Sequence, residues 1–186
     1  MNPQLDIETI EAVLAKADQL YTEREISAAL DEIAGNITRQ LHNKYPICLS
    51  IMLGGLVPAG QLLPRLGFPV EIDYIHATRY RGATEGKELH WIKYPSISLE
   101  NRTVLLIDDI LDEGLTLQAV LEYCQQQGAE QVFTAALVEK QHNRRLGLQH
   151  ADFTGLTVPD RYVFGYGMDY QNQLRYVAGI YAVHGL

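Results

Sequence analysis

A chain of 186 residues with 47% hydrophobic and 20% charged residues can bury one substantial core without disulfides, and that balance excludes a disordered chain. Its formal charge of −8 argues against nucleic acid as a partner, because such binding rests on neutralising phosphates. No apolar run reaches the ~18 residues that a membrane span needs, and residues 1–20 lack the basic start and apolar centre of a secretory leader, so a cytoplasmic protein is expected.

In chain order, Ile7, Ile10, Val13, Leu14, Ala17 and Leu20 fall on one face of a first predicted helix. Thr22 and Glu25 have capping-box spacing, and Ile26, Leu30, Ile33, Ile37 and Leu41 form the inward stripe of a second helix. Residues 47–53 read as a buried strand, followed by a sharp Gly54-Gly55 turn and a short helix with Pro58 near its start and Gly67 past its end. Residues 70–76 form a second strand. Residues 79–91 lie in a polar stretch without a sustained period, and a stretch of that length between strands suggests a lid. Residues 103–109 are the strongest strand. Leu117, Val120, Leu121 and Cys124 then repeat at helical spacing up to Gly128, and residues 132–138 form another buried strand ending at Glu139-Lys140. Short strands finish the chain in DFTGLTV, RYVFGYG and GIYAV. Cys48 and Cys124 read as buried reduced thiols, and the six scattered histidines show no metal-ligand pair, so no zinc site is assigned.

Apolar strands alternating with helices predict one α/β domain built on an open, mostly parallel sheet. Ligands of such sheets bind beyond the carboxyl ends of the strands, which directs attention to the turns after Leu53, Asp109 and Lys140. The segment VLLIDDILDEGLTLQAV, residues 104–120, is the most informative of these. A buried strand delivers Asp108 and Asp109 to its exposed end, Asp112, Glu113 and Gly114 make a turn, and Thr116 starts a helix. Main-chain N–H groups of such a turn, with a helix N-terminus and the Thr116 hydroxyl, form an anion pocket that Gly114 lets a phosphate approach closely. Carboxylates beside it need other clients, and vicinal ribose hydroxyls or hydrated Mg²⁺ fit. Two acids alone would more often cap a strand; the third acid, the glycine, the threonine and the helix at these offsets favour a ribose 5-phosphate site.

These residues resemble the phosphoribosyl pyrophosphate (PRPP) signature of type I phosphoribosyltransferases. From about residue 10 onward the chain is similar to the bacterial hypoxanthine-guanine branch, with DRYVFGYGMDYQNQLR, residues 160–175, matching its purine-binding hood. The resemblance implies a twisted sheet flanked by helices, with a core over about 35–150 and a hood from the N-terminal segment and about 151–186. It also implies Mg²⁺-dependent transfer of the phosphoribosyl group from PRPP to N9 of hypoxanthine or guanine, and assembly as a homodimer or homotetramer. Asp108 and Asp109 would hold the ribose hydroxyls, directly and through metal-bound water, and Asp112 would be the general base that takes the N7 proton. The loop Asp112, Glu113, Gly114, Leu115 and Thr116 would bind the 5-phosphate. Leu53, Gly54 and Gly55 would form the pyrophosphate loop, with a non-proline cis peptide between Leu53 and Gly54. Lys140 would donate to O6, Tyr162 would stack on the purine, and the Val163 main chain would meet the ring edge. Asp169 would ligate a second Mg²⁺, and Arg175 would meet the pyrophosphate.

Three positions depart from the family pattern: Leu53 where lysine is frequent, Glu113 where threonine is frequent, and Arg79 where serine is frequent. None removes a reacting group. A regulatory RNA-binding protein on the same scaffold is the alternative from another class, and the acidic charge weighs against it. A phospho-receiver domain would place its aspartate a whole βα unit after the acid pair, whereas Asp112 follows by three residues; a D-x-D phosphatase fails on spacing.

Overall fold

The apolar stripes and runs condense into two sheets in a computed structural model that describes residues 5–79 and 89–185. Helix α1 (Ile7–Lys16) is capped by Asp6, whose carboxylate accepts the Thr9 N–H at 2.7 Å. Strand β1 (Asp18–Thr22) follows, then α2 (Glu23–Leu41), which opens with the expected Thr22–Glu25 capping box. Ile26, Leu30, Ile33, Ile37 and Leu41 are all buried on α2, and each such side chain contributes about 1.5–3 kcal/mol by leaving water.

After β2 (Ile47–Met52) come α3 (Leu56–Leu62), a 3-10 turn (Leu63–Arg65), β3 (Glu71–Arg79) and β4 (Leu89–Lys93). Next are β5 (Thr103–Leu111), α4 (Leu115–Gln126) and β6 (Gln131–Gln141). The chain closes with β7 (Phe153–Pro159), β8 (Val163–Phe164) and β9 (Gly179–Ala182). The main sheet has the order β4-β3-β2-β5-β6-β7, parallel except for β4, which runs antiparallel to β3. From β2 the chain steps to β3 on one side and then to β5 on the other. The order therefore reverses between β2 and β5, and a crevice opens beyond their carboxyl ends. Helices α2 and α3 cover one face of the sheet and α4 the other, each over its own apolar cluster. A second sheet of three antiparallel strands, β1-β9-β8, packs Phe164, Leu174 and Val183 against the apolar side of α1. No helix among the described residues is long and apolar enough to cross a membrane.

The structure changes several sequence expectations. The first helix stops at Lys16, because Ala17 turns extended and residues 18–22 pair with β9 instead; the demand of a sheet edge for a partner overrides the helical stripe through Leu20. Residues 89–93 of the polar stretch form the edge strand β4, whose half-exposed residues carry no continuous apolar run. The proposed lid over 79–91 therefore ends on β4, while its residues 80–88 lie outside the described residues. The cis peptide is at Met52–Leu53, one bond before the expected position, where β2 ends and the turn begins. Asp108 and Asp109 are inside β5, which continues to Leu111, so they are buried at 8% exposure each instead of standing at an exposed end.

Candidate functional site

The crevice between β2 and β5 is a cleft of about 710 Å³. Leu53 and Gly54 come from the turn after β2, residues 108–116 from β5 and the loop beyond it, and Lys140 from the end of β6. Tyr162, Val163, Asp169 and Arg175 close it from the segment after β7. Of the residues singled out in the sequence, Gly55 alone does not line the cleft. Its N–H bonds the Ile51 carbonyl at 2.8 Å and its carbonyl accepts from Ala59 at 2.9 Å, so it serves the start of α3.

The loop after β5 is pinned from behind. The Glu113 carbonyl accepts the N–H groups of Leu146 and Gly147, both at 3.0 Å, and the Gly114 carbonyl accepts Leu148 N–H at 3.1 Å. In a trans peptide the N–H points opposite to the carbonyl, so the amides of Gly114 and Leu115 are turned toward the cleft. Gly114 holds φ +78 at the N-cap of α4, and a Cβ there would overlap the Leu148 main chain. Helix α4 thus begins at Leu115, one residue before the expected Thr116, with no side-chain cap. Its open N-terminus adds positive potential to the same place.

Behind the loop sit the two buried acids. Burial and the neighbouring Asp109 charge push the Asp108 pKa well up, and burial also raises that of Asp109. The facing cation is Arg175, whose Nη1 is 3.9 Å from Asp109 Oδ2. Arg175 is itself engaged: it donates to Asp169 Oδ1 at 2.7 Å and to the Gly167 carbonyl at 2.6 Å, while Asp169 Oδ2 accepts the Asn172 N–H at 2.7 Å. Among the described residues, no three His, Cys, Asp or Glu side chains form a metal cluster. Two under-neutralised, hard carboxylates nevertheless suit Mg²⁺, which takes one or two protein carboxylates and completes its shell with water and substrate oxygens.

Asp112 is held on both oxygens. Lys140 Nζ donates to Oδ2 at 2.8 Å, and His142 Nε2 contacts Oδ1 at 2.7 Å. Burial works to raise the Asp112 pKa, but the Lys140 and His142 bonds outweigh it and hold the carboxyl below its ordinary range. Lys140 is 8% exposed, and its strand end is fixed by Arg145, which donates to the Lys140 carbonyl at 2.9 Å and pairs with Glu139 at 3.0 Å. His142 escaped the sequence reading. The available signal was its offset of two from Lys140, just beyond a strand end.

At the opposite wall, Tyr162 meets Tyr170 edge-on with ring centroids 5.5 Å apart. Val163 pairs with Ala182 on one side of β8, an outer strand whose other side has no strand neighbour among the described residues. Arg161 donates to Asp18 at 2.6 Å and to the Val183 carbonyl at 2.8 Å, tying this wall to β1 and β9. Gly167 lies directly against Gly54 and Asp109: a Cβ on Gly167 would overlap the Gly54 carbonyl, and one on Gly54 would overlap the Asp109 carboxylate.

Comparisons with known proteins show what the chain is similar to. Residues 16–173 match the model of the phosphoribosyl transferase domain. Hypoxanthine-guanine phosphoribosyltransferases of Staphylococcus aureus (strain Mu50) and Bacillus subtilis (strain 168) are each 31% identical over 157 residues, covering 84% of this chain and 87% of theirs. A crystal structure of a hypoxanthine phosphoribosyltransferase from Staphylococcus aureus superposes with a TM-score of 0.85 at 29% identity, covering 96% of both chains. A hypoxanthine-guanine-xanthine phosphoribosyltransferase gives 0.81 at 27% identity, covering 89% of this chain and 96% of its own.

Proposed function

Because the chain belongs to the phosphoribosyl transferase family and, within it, to the hypoxanthine-guanine phosphoribosyltransferases, we propose that its cleft moves the 5-phosphoribosyl group of PRPP to N9 of a 6-oxopurine, releasing pyrophosphate. The observation that carries the substrate assignment is the Lys140–Asp112 couple. A cationic donor and an anionic acceptor 2.8 Å apart at the strand end match the adjacent O6 and N7–H of hypoxanthine or guanine. Adenine presents an amino donor at the same place and would leave Lys140 facing another donor. A site built around one polar partner rejects the mismatched analogue by up to ~10⁴–10⁵, so adenine is excluded.

The remaining residues divide the work by charge. The amides of Gly114 and Leu115, the Thr116 hydroxyl and the α4 N-terminus receive the 5-phosphate. Asp108 and Asp109 receive the ribose hydroxyls and, with Asp169, would hold Mg²⁺; when bound, the metal neutralises the pyrophosphate oxygens. Leu53 and Gly54 shape the pyrophosphate loop, where Leu53 offers main-chain contacts only, and Gly55 anchors that loop to the start of α3. Arg175 exchanges its Asp169 contact for the leaving pyrophosphate and stabilises its negative charge. Asp112 accepts the N7 proton as N9 bonds to the anomeric carbon, while the acids nearby stabilise the positive charge on the ribose. Tyr162 stacks on the base, and the free side of β8 at Val163 meets its edge. The main sheet is assigned as the core and the β1-β9-β8 sheet with residues 160–175 as the hood. Assembly as a homodimer or homotetramer is supported by Ile72, Tyr74, Ile92 and Tyr94, apolar side chains left exposed on β3, β4 and just after. The protein works in the cytoplasm as a purine-salvage transferase.

Initial rates with PRPP, Mg²⁺ and each of hypoxanthine, guanine, xanthine and adenine test the reading. Nucleotide and pyrophosphate are expected from at least one 6-oxopurine and none from adenine. No product from any 6-oxopurine, together with salt-sensitive RNA binding, sinks it in favour of the regulatory alternative.

A further inference from the structure

We propose that His142 is the positioning residue for Asp112, fixing the carboxylate through Oδ1 so that Oδ2 stays aimed at the base while Lys140 turns to O6. The inference rests on the reading of Asp112 as the general base. In that reading Lys140 has two clients: it donates to Asp112 Oδ2 at 2.8 Å and must donate to the purine once that binds. A carboxylate whose only partner leaves for the substrate would be free to rotate about its last torsion, and orientation is worth a large share of a proton-transfer rate.

The second partner does not leave. His142 Nε2 is 2.7 Å from Asp112 Oδ1, and its side chain is only 2% exposed. The tautomer follows from the other ring nitrogen, since Nδ1 accepts the Arg144 N–H at 3.0 Å. An acceptor nitrogen carries no proton, so the ring proton is on Nε2 and is donated to Asp112. The same bond excludes a relay role: His142 cannot take up a further proton at Nδ1 without breaking its main-chain contact. Strand β6 ends at Gln141, so Lys140 leaves its last residues and His142 follows just beyond its end, and the two grip opposite oxygens of the carboxylate.

Other charges face Asp112 as well. Lys140 is the nearest, and the Arg144 guanidinium senses both Asp112 and Glu113 while pairing with Asp160. The side-chain bonds that reach the two oxygens of the Asp112 carboxylate come from Lys140 and His142, so orientation falls to these two.

Two variants test the inference. His142→Leu keeps apolar bulk and removes the donor, whereas His142→Gln keeps an amide donor of similar reach. Compared with wild type at saturating substrates, His142→Leu should lower kcat by roughly 10–100-fold, the scale of one hydrogen bond to a charged group. The PRPP KM should be unchanged, and the acidic limb of the kcat profile should move to higher pH, because Asp112 loses a bond that favours its ionised form. His142→Gln should recover most of kcat and return the limb. A His142→Leu enzyme with wild-type kcat and limb overturns the inference. So does a loss spread equally over kcat, PRPP KM and Tm in both variants, which would mark His142 as packing alone. If wild-type protein itself forms no nucleotide, it is the assigned function that fails, a result the two variants cannot imitate.

Discussion

Along the floor of the cleft, residues 108–116 and Lys140 hang from parallel strands that are paired on both sides and buried under helices. The wall over 160–175 is built otherwise. It turns through Tyr166, Gln171, Asn172 and Leu174, all side-chain-bearing residues at positive φ, and closes on its own short bonds, such as Gly165 to Met168 and Tyr170 to Gln173. Each left-handed residue costs about 1–2 kcal/mol, and this region is repaid by burying Phe164, Tyr166, Met168 and Leu174. In the proposed reading, the charged ribose phosphate would meet main chain pinned by the bonds from Leu146, Gly147 and Leu148. The face and outer edge of the base would meet a loop whose shape depends on its side chains, while its O6 and N7 would still meet Lys140 and Asp112 on the floor.

That contrast can be broken at graded cost. Asp112→Asn, on the floor, should lower kcat by ~10²–10⁴-fold with little change in KM, measured as initial rates of nucleotide formation. Lys140→Met should reduce kcat/KM for hypoxanthine by roughly 10–100-fold and narrow the preference over adenine, read from paired rates on the two bases. The same change removes the charge that holds Asp112 ionised. The base works only as carboxylate, so activity falls as pH drops through its pKa, and the acidic limb of Lys140→Met should lie at higher pH than that of wild type. Tyr162→Ala, on the wall, should weaken the base by roughly 1–3 kcal/mol, seen as a raised purine KM with the PRPP KM unmoved. Gly114→Ala should act on the floor alone: strain of about 1–3 kcal/mol should lower Tm by roughly 2–12 °C and raise the PRPP KM while leaving base preference intact. If Tyr162→Ala and Gly114→Ala moved both KM values together, the two regions would not be separable.

The same division explains what could be read before any coordinates. Strands β2, β5 and β6 announce themselves because burial on both faces demands unbroken apolar runs, and α2 because its stripe follows a capping box. The acid–glycine–threonine loop was legible because its chemistry is concentrated within nine residues, 108–116. Strands β1 and β4 were not, since an edge strand draws its stability from a distant partner that local periodicity does not encode. The Arg175–Asp169 pair was foreseen as two separate ligand contacts, because spacing of six residues in an irregular loop says nothing of how its turns bring them together. His142 was lost among scattered histidines, its meaning set by a bond to a residue on another strand connection.

The abutment of Gly167 on Gly54 and Asp109 bears on how such proteins can be recombined. A chimera that grafts a foreign 160–175 segment onto this scaffold will seat only if both glycines are kept, because neither side of the seam has space for a methyl group. With that seam, Asp169 and Arg175 preserved, the segment would become an exchangeable cassette, and base preference could be traded between homologues without touching the loop over residues 112–116.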